Sequence, residues 1–215
     1  MLLTGLTGLS GLAADLPARA VVTDDPMRAK MLAAHWLDSA EVIYDLRGMI
    51  GYTGSYKGAP ISLIAAGYGE SAAMLYLHDA RMLGVKRVIY MGECISRIRE
   101  IKLRDVILAD GGDAALTLCA QTAAKQLPIV ATVRGVVTND RLFLDEIIAQ
   151  ADIVDFASGA AVRYAAGHGL AVLSVLTVSQ NTVTGEKMEE HERQSRFNAA
   201  SQLVFETLAM DAQTQ

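Results

Sequence analysis

A chain of 215 residues, 52% of them apolar, is long enough to bury a large core and fits one α/β domain. The formal charge of −5, with basic residues scattered along the chain, gives no reason to expect a nucleic-acid partner. Two cysteines can form neither a disulfide framework nor a zinc cluster, and no apolar run reaches the roughly 18–20 residues of a membrane span. We therefore expect a single cytoplasmic domain over residues 1–215, without a metal, a cofactor or a membrane.

The opening "MLLTGLTGLSGLAADLPA" resembles the apolar core of a signal peptide. It lacks a positively charged start, and three glycines interrupt it. Secretion is therefore the less favoured alternative to a cytoplasmic location.

In chain order, short segments rich in Val and Ile alternate with helical patterns. This alternation predicts a three-layer α/β/α domain with a mixed, largely parallel central sheet. The stretch "RGMIGYTGSYKGAP" predicts a hairpin with turns at Gly54 and Gly58, which makes the sheet mixed. The predicted strands are 18–24, 41–46, 59–69, 86–92, 105–110, 129–140, 151–157 and 170–179, and the predicted helices are 26–38, 70–83, 113–126, 141–150, 158–168 and 187–210.

Four strand ends carry glycines or polar side chains, and ligands of open α/β sheets bind beyond the carboxyl ends of the strands. They are the ends before Arg28, at residues 67–69, at Glu93, and at Gln180 and Asn181. The stretch "VIYMGECISRIREIKLRDVILAD" predicts a buried strand, a glycine turn that carries Glu93 and Cys94, and a second strand. We expect Cys94 to be a small buried apolar residue, because the sequence places no base or metal ligand beside it.

Several motifs in one order resemble the nucleoside phosphorylases of the trimeric and hexameric bacterial type and their nucleosidase relatives. They are "TDDPMRAK", the stretch from "DLRGMIGYTGSYKGAP" through "AAGYGES" to "YMGEC", and "TVSQNTVTGEKMEEHERQSRFNAA". The resemblance covers residues 17 to 210. It implies a nucleoside-like ligand and a symmetric homo-oligomer, dimer-based and up to a hexamer, with sites shared between subunits.

The resemblance implies a phosphate site with four side-chain positions, and only two of them are kept. Arg28 matches the arginine of the first loop, and Arg47 matches an arginine that reaches in from the neighbouring subunit. Tyr90 and Glu93 stand where relatives have an arginine and a Ser or Thr. Asp24 replaces a glycine of the first loop. A carboxylate 3–5 Å from a phosphate costs several kcal/mol, taking an effective dielectric constant near 20, so we expect no ordinary phosphate binding.

The positions that the resemblance assigns to the sugar and the base are also changed. Phe156 and Ala157 replace a Met-Glu pair whose glutamate holds the ribose hydroxyls in relatives. Gln180 stands where relatives carry the general-acid Asp, and an amide cannot donate a proton productively near pH 7. Arg193, which supports that acid in relatives, is kept. Tyr68 replaces a methionine, and with Phe156 it predicts an aromatic pocket.

Glu93 is therefore expected to be a built-in anion at the phosphate position, paired with Arg28 and with Arg47 of a neighbour. In one alternative it activates water, and the protein is a phosphate-independent hydrolase or glycosyl-transferring enzyme acting on a modified nucleoside. In the other it only neutralises the arginines, and the protein binds a nucleoside without catalysis or completes the site of an active paralogue through Arg47. A solvent-exposed Glu93 is the structural alternative.

Overall fold

A computed structural model of the protein describes residues 6–139, 151–195 and 197–214. The strands are β1 (Arg19–Thr23), β2 (Asp38–Leu46), β3 (Met49–Tyr56), β4 (Ala59–Ala65), β5 (Arg87–Ser96), β6 (Val106–Ala109), β7 (Ala131–Arg134), β8 (Val137–Thr138), β9 (Ile153–Asp155), β10 (Ala171–Asn181) and β11 (Glu186–Lys187). The helices are α1 (Pro26–Trp36), α2 (Glu70–Met82), α3 (Ala114–Ala124), α4 (Ser158–His168), α5 (Glu190–Ser195) and α6 (Asn198–Gln213), and a short 3-10 turn covers Gly8–Gly11. Within the described ranges, no helix is both long and apolar enough to cross a membrane.

The sheet runs in the order β2-β3-β4-β1-β5-β10-β6-β7. Its centre is parallel, because β4, β1, β5 and β10 pair in one direction. Antiparallel pairs flank this centre at β2-β3-β4 on one side and at β10-β6 on the other. The predicted mixed, largely parallel sheet is thus confirmed.

Two apolar clusters lie on opposite faces of the sheet. On one face, α2 and α4 pack through residues such as Leu77 and Ala161. On the other, α1, α3 and α6 pack through residues such as Leu32, Leu116 and Phe205. Strand side chains alternate between the two clusters, as the pleat requires, and this arrangement confirms the three-layer α/β/α prediction.

The predicted hairpin over residues 47–60 is part of a three-strand meander, and one of its two predicted turns is wrong. The turns lie at Arg47-Gly48 and at Lys57-Gly58, where all four residues have positive φ. Gly54 instead lies inside β3, where an added Cβ would come 2.8 Å from the carbonyl oxygen of Asp38. Close approach of the neighbouring strand, rather than a turn, therefore requires this glycine.

Three other predicted boundaries are also corrected. β5 continues through Gly92 to Ser96 because β10 pairs with it along this whole length, so Glu93 and Cys94 lie in a strand and not in a turn. The predicted helix 187–210 begins as β11, which pairs with the end of β10, and then divides into α5 and α6. The predicted strand 129–140 is divided into β7 and β8. The predicted helix 141–150 lies outside the described residues.

Candidate functional site

A cleft of about 350 Å³ opens beyond the carboxyl ends of the central parallel strands. It combines an aromatic ring, an apolar thioether and charged groups of both signs. Its lining comprises Asp25, Tyr68, Lys187, Met188, Glu189, Glu190 and Arg193. The loop after β1, the loop after β4 and the segment from β11 into α5 supply these side chains. The first two are among the four strand ends that the sequence indicated, whereas Glu93, Gln180 and Asn181 are not part of this lining.

Arg28 lies buried behind the cleft and is paired within its own loop. Asp25 caps α1 by accepting hydrogen bonds from the backbone N–H of Met27 and of Arg28, and Pro26 occupies the first helical position. This start places the Arg28 guanidinium against the Asp24 carboxylate, to which it donates a short hydrogen bond, and 3.0 Å from the Thr23 hydroxyl. Asp24, considered in the sequence only as a lost glycine, is therefore the direct counter-ion of Arg28.

The guanidinium of Arg28 makes two further contacts, one with α5 and one with the residue that precedes α6. Its Cζ lies 4.3 Å from the centroid of the Phe197 ring, and its Nη2 donates to the Arg193 carbonyl oxygen at 3.4 Å. Among the described residues its Nε has no hydrogen-bond partner. The Nε–H group of this buried guanidinium can therefore donate a hydrogen bond to one further acceptor.

Glu93 points inward from β5 and is only 3% exposed, so the solvent-exposed alternative is wrong. Its carboxylate accepts a hydrogen bond from Arg193 Nε at 2.8 Å and a second, short one from Arg193 Nη2. This two-pronged geometry matches the planar fork of a guanidinium. The expectation that Glu93 pairs directly with Arg28 is corrected: its hydrogen-bonded partner is Arg193, one hundred positions along the chain.

The two ion pairs influence each other. Burial raises the pKa of Asp24, Arg28 opposes this increase, and the Glu93 charge adds to it. Burial would lower the pKa of Arg28, but Asp24 and Glu93 together hold it above its ordinary value. The hydrogen bonds to Glu93 raise the pKa of Arg193. Both guanidinium groups therefore stay charged, and each has its own carboxylate.

Tyr90 and Tyr68 lie at different depths of the same site. Tyr90 is buried in β5, and burial, followed by the nearby Asp24 and Asp155 charges, raises its pKa well above the ordinary range. Gly92 leaves the space that the Tyr90 ring and Asp24 occupy, since a Cβ there would lie 3.0 Å from that ring and 3.6 Å from Asp24 Oδ2. Tyr68 is 60% exposed and presents its ring to the cleft.

Asp155, which sequence reasoning missed, organises the turn that carries Phe156 and Ala157. Its buried carboxylate accepts from the Thr138 hydroxyl at 2.5 Å and from the backbone N–H groups of Ser158 and Ala157 at 2.6 and 3.2 Å. This bonding fixes the start of α4, with Phe156 half-buried and Ala157 fully buried. An Asp shortly before an alanine-rich helix is a typical turn residue, because its carboxylate can bond the backbone two residues on, and this signal could have identified Asp155.

The last two strand-end residues differ in role. Gln180 is half-buried at the end of β10, where it pairs in register with Lys187 of β11. Asn181 is fully buried, and its amide donates to the Ile98 and Ile101 carbonyl oxygens. Its oxygen accepts from the backbone N–H of residues 183 and 184. This amide has no capacity left for a ligand, so the prediction that Asn181 binds substrate is corrected to a structural role.

Arg47 is exposed on the turn between β2 and β3 and does not line the cleft of its own chain. Cys94 is fully buried, and burial raises the pKa of its thiol well above the ordinary range. The expectation of a small buried apolar residue at Cys94 is thus confirmed.

Known proteins resemble this chain over most of its length. It is 30% identical to the purine nucleoside phosphorylase DeoD-type of Haemophilus ducreyi, over 88% of this chain and 92% of that protein. It is 32% identical to the purine nucleoside phosphorylase DeoD-type of Actinobacillus pleuropneumoniae serotype 5b, over 86% and 88% of the two chains. The fold is similar to that in the crystal structure of purine nucleoside phosphorylase from Toxoplasma gondii in complex with immucillin-H. The match has a TM-score of 0.83 and covers 94% of this chain and 94% of that chain. The two sequences are 18% identical, so this likeness supports the fold alone.

No protein-family model matches the chain. The curated relatives nevertheless cover between 86% and 88% of it at 30–32% identity, and residues of three motifs, Asp25, Tyr68 and Arg193, line one cleft. On these grounds the chain belongs to the nucleoside phosphorylase family.

Proposed function

We propose that this protein binds a nucleoside or nucleoside-like ligand in the cleft between Tyr68 and Arg193 and does not catalyse ordinary phosphorolysis. Family membership, the cleft volume and the exposed Tyr68 ring support the first part. One observation carries the second part: both arginines next to the cleft are already neutralised by carboxylates of the same chain.

The electrostatic argument follows from these two pairs. A phosphate dianion needs uncompensated positive charge, and in relatives arginines supply it. Here Arg28 faces Asp24, and Arg193 faces Glu93, with both carboxylates buried. Phosphate could enter only if a carboxylate were displaced or became protonated. Either change costs several kcal/mol if the effective dielectric constant is about 20.

The other altered positions favour the same conclusion. Relatives protonate the departing base and hold the ribose hydroxyls with carboxyl groups, whereas this chain has Gln180 and Ala157 at those positions. Each such group commonly contributes about 10²–10⁴ in rate. Hydrolysis through Glu93 is disfavoured too, because this carboxylate is only 3% exposed and both of its oxygens already accept hydrogen bonds from Arg193.

We further propose a cytoplasmic oligomer in which the exposed Arg47 of one chain reaches the cleft of a neighbour. The neighbour is a second copy in a homo-oligomer or an active paralogue in a hetero-oligomer. Either assembly would explain why Arg47 is kept although it does not line the cleft of its own chain. Light scattering after size exclusion, alone and after co-expression with a paralogue, distinguishes the two.

A nucleoside panel tests the proposed function. Purified protein is incubated with adenosine, inosine and uridine, with and without phosphate, and base release is followed by chromatography, with the Haemophilus ducreyi relative as the active control. We expect an upward shift in melting temperature with at least one nucleoside and no phosphate-dependent base release. Base release at the rate of the control refutes the loss of phosphorolysis, and the absence of binding to any nucleoside refutes the binding function.

A further inference from the structure

A second pocket, of about 260 Å³, lies at the start of α6, and its described lining shares no residue with the cleft. This lining comprises Arg104, Thr177, Phe197, Asn198, Ala199 and Ala200. Arg104 and Asn198 are exposed at the rim, whereas Thr177, Phe197 and Ala200 are buried. The pocket is smaller than the roughly 300–1,000 Å³ of sites for drug-sized ligands, so it fits only a small occupant.

Thr177 contributes an unused hydroxyl group to this pocket. In β10, Val175 packs into the apolar cluster that α6 covers, and Thr177, two residues further on, lies on the same face of the sheet. Thr177 is 2% exposed, and among the described residues its hydroxyl has no hydrogen-bond partner. A buried hydroxyl without a partner is unfavourable, and an acceptor atom placed in the pocket would satisfy it.

The first turn of α6 supplies further donors. The first hydrogen bond of this helix runs from the Ser201 backbone N–H to the Phe197 carbonyl oxygen at 2.7 Å, so the N–H groups of residues 198–200 have no acceptor within the helix. Phe197 occupies the N-cap position, where Ser, Thr, Asp or Asn would accept from these groups. The peptide dipoles of a 16-residue helix therefore leave a partial positive charge here, and no acidic side chain of the first turn compensates it.

Arg104 brings a full positive charge to the rim. Its backbone N–H donates to the Val178 carbonyl oxygen at 2.9 Å, which holds the residue beside β10. Its Nη2 donates to Glu192 Oε1 at 2.7 Å. A guanidinium carries five N–H donors, so this bond alone does not exhaust the fork, although Glu192 shares the charge.

We propose that this pocket binds a small monocarboxylate with an apolar body. The carboxylate fits the donors that meet here, which are the Thr177 hydroxyl, the first N–H groups of α6 and the Arg104 guanidinium. The apolar body fits because Phe197, Ala199 and Ala200 present a ring and two methyl groups. This inference goes beyond the proposed function, does not depend on nucleoside binding and involves no reaction.

Benzoate is the probe that tests the proposal. Its comparisons are benzamide, which is neutral and of the same shape, and inorganic phosphate, which is an anion without an apolar body. Binding to the whole chain is followed by ligand-observed NMR titration at constant ionic strength. We expect benzoate to bind with a Kd of the order of 1 mM, as suits a small ligand whose counter-charge is shared with Glu192. Benzamide and phosphate should bind roughly tenfold more weakly, because each lacks one of the two features.

Three variants show whether the binding is in this pocket. Thr177→Val should weaken benzoate binding about fivefold, the scale of one hydrogen bond, without lowering the melting temperature of the free protein, since the hydroxyl has no partner to lose. Arg104→Gln should weaken it roughly tenfold. Glu192→Gln should strengthen it about threefold, because it releases the half-exposed Arg104 from its carboxylate.

The matched control is Thr122→Val on α3, whose hydroxyl donates to the Leu118 carbonyl oxygen and does not line the pocket. It should leave the affinity for benzoate unchanged. The proposal is overturned by the absence of saturable benzoate binding, by equal binding of benzamide or phosphate, or by an affinity that is the same in Thr177→Val and in the parent.

Discussion

The pair between Glu93 and Arg193 offers a direct test of how this site is held together, through the substitution Glu93→Gln. Glutamine keeps the shape and one acceptor but removes the charge and one of two hydrogen bonds. The Glu93 side chain is 2% exposed, so nothing from solvent replaces the lost bond on that side. The Arg193 side chain is 43% exposed, and water can solvate it once its partner is gone.

These exposures set the expected magnitude. Breaking a fully buried pair costs about 3–5 kcal/mol, but the half-exposed Arg193 places this pair well below that range. The substitution also removes the repulsion between the Glu93 and Asp24 carboxylates, which lowers the cost in stability further. We expect Glu93→Gln to reduce the free energy of unfolding by about 1–2 kcal/mol, which for a domain of this size lowers the melting temperature by roughly 3–6 °C.

Phosphate gives the same variant a second readout. With Glu93 neutral, Arg193 and Arg28 face only the Asp24 carboxylate, and one positive charge becomes available to an anion. Phosphate at ten times its dissociation constant would then restore about 1.4 kcal/mol to the variant. The same phosphate concentration should stabilise the parent clearly less, when ionic strength and protomer concentration are matched.

Urea denaturation followed by circular dichroism measures both effects. The matched control is Glu192→Gln on α5, next to Arg193. Its partner Arg104 is half exposed, and the expected cost is below about 1 kcal/mol. If Glu93→Gln is as stable as the parent, the pair does not hold α5 to β5. If phosphate stabilises parent and variant equally, Glu93 does not occupy the anion position.

Further predictions concern the rest of the site. Tyr90→Arg, Glu93→Ser, Ala157→Glu and Gln180→Asp combined should produce phosphate-dependent base release, and a folded, oligomeric but inert variant would show that more than these positions has changed. Gly92→Ala should cost about 1–3 kcal/mol in urea denaturation because its Cβ would crowd the Tyr90 ring, whereas Gly135→Ala, with open space around it, should cost almost nothing. Burial raises the pKa of Asp155 above its ordinary 3.8, so its contribution to stability is full below about pH 4 and is lost as the pH rises through the folded value. The difference in free energy of unfolding between the parent and Asp155→Asn should therefore narrow from pH 4 to pH 7. A difference that stays constant over this range would contradict the raised pKa of Asp155.

The sequence predicted the layers of the fold because the relevant signals are local. Runs of Val and Ile between helical patterns specify a buried parallel sheet, and the same reasoning placed the cleft at the strand ends. The prediction of a turn at Gly92 and Glu93 was wrong because a glycine beside a charged residue is a typical local turn signal. Pairing with β10, a long-range contact, overrides that signal and keeps both residues in β5.

Partner choice within the site could not be predicted for the same reason. Arg193 lies one hundred positions from Glu93, and no short-range pattern connects them. Asp24 and Arg28 are four positions apart, a spacing at which ion pairs are common on helices, but Asp24 precedes the helix and was interpreted only through the glycine it replaces. Asn181 was grouped with Gln180 as a polar strand-end residue, although only the folded loop shows that its amide is fully used by the backbone.

The two ion pairs also constrain how the proposed site can have changed. Arg28 is buried, so removal of its anion without a substitute would leave an isolated charge in the interior, the costliest outcome among the alternatives. Asp24 resolves this for Arg28, as Arg193 does for the buried Glu93, and the Glu93 charge also acts on Asp24. Restoring a phosphate to this position therefore requires the removal of carboxylate charge, by mutation or by protonation. Any residual phosphate affinity of the parent should consequently increase as the pH falls toward the raised pKa of Asp24.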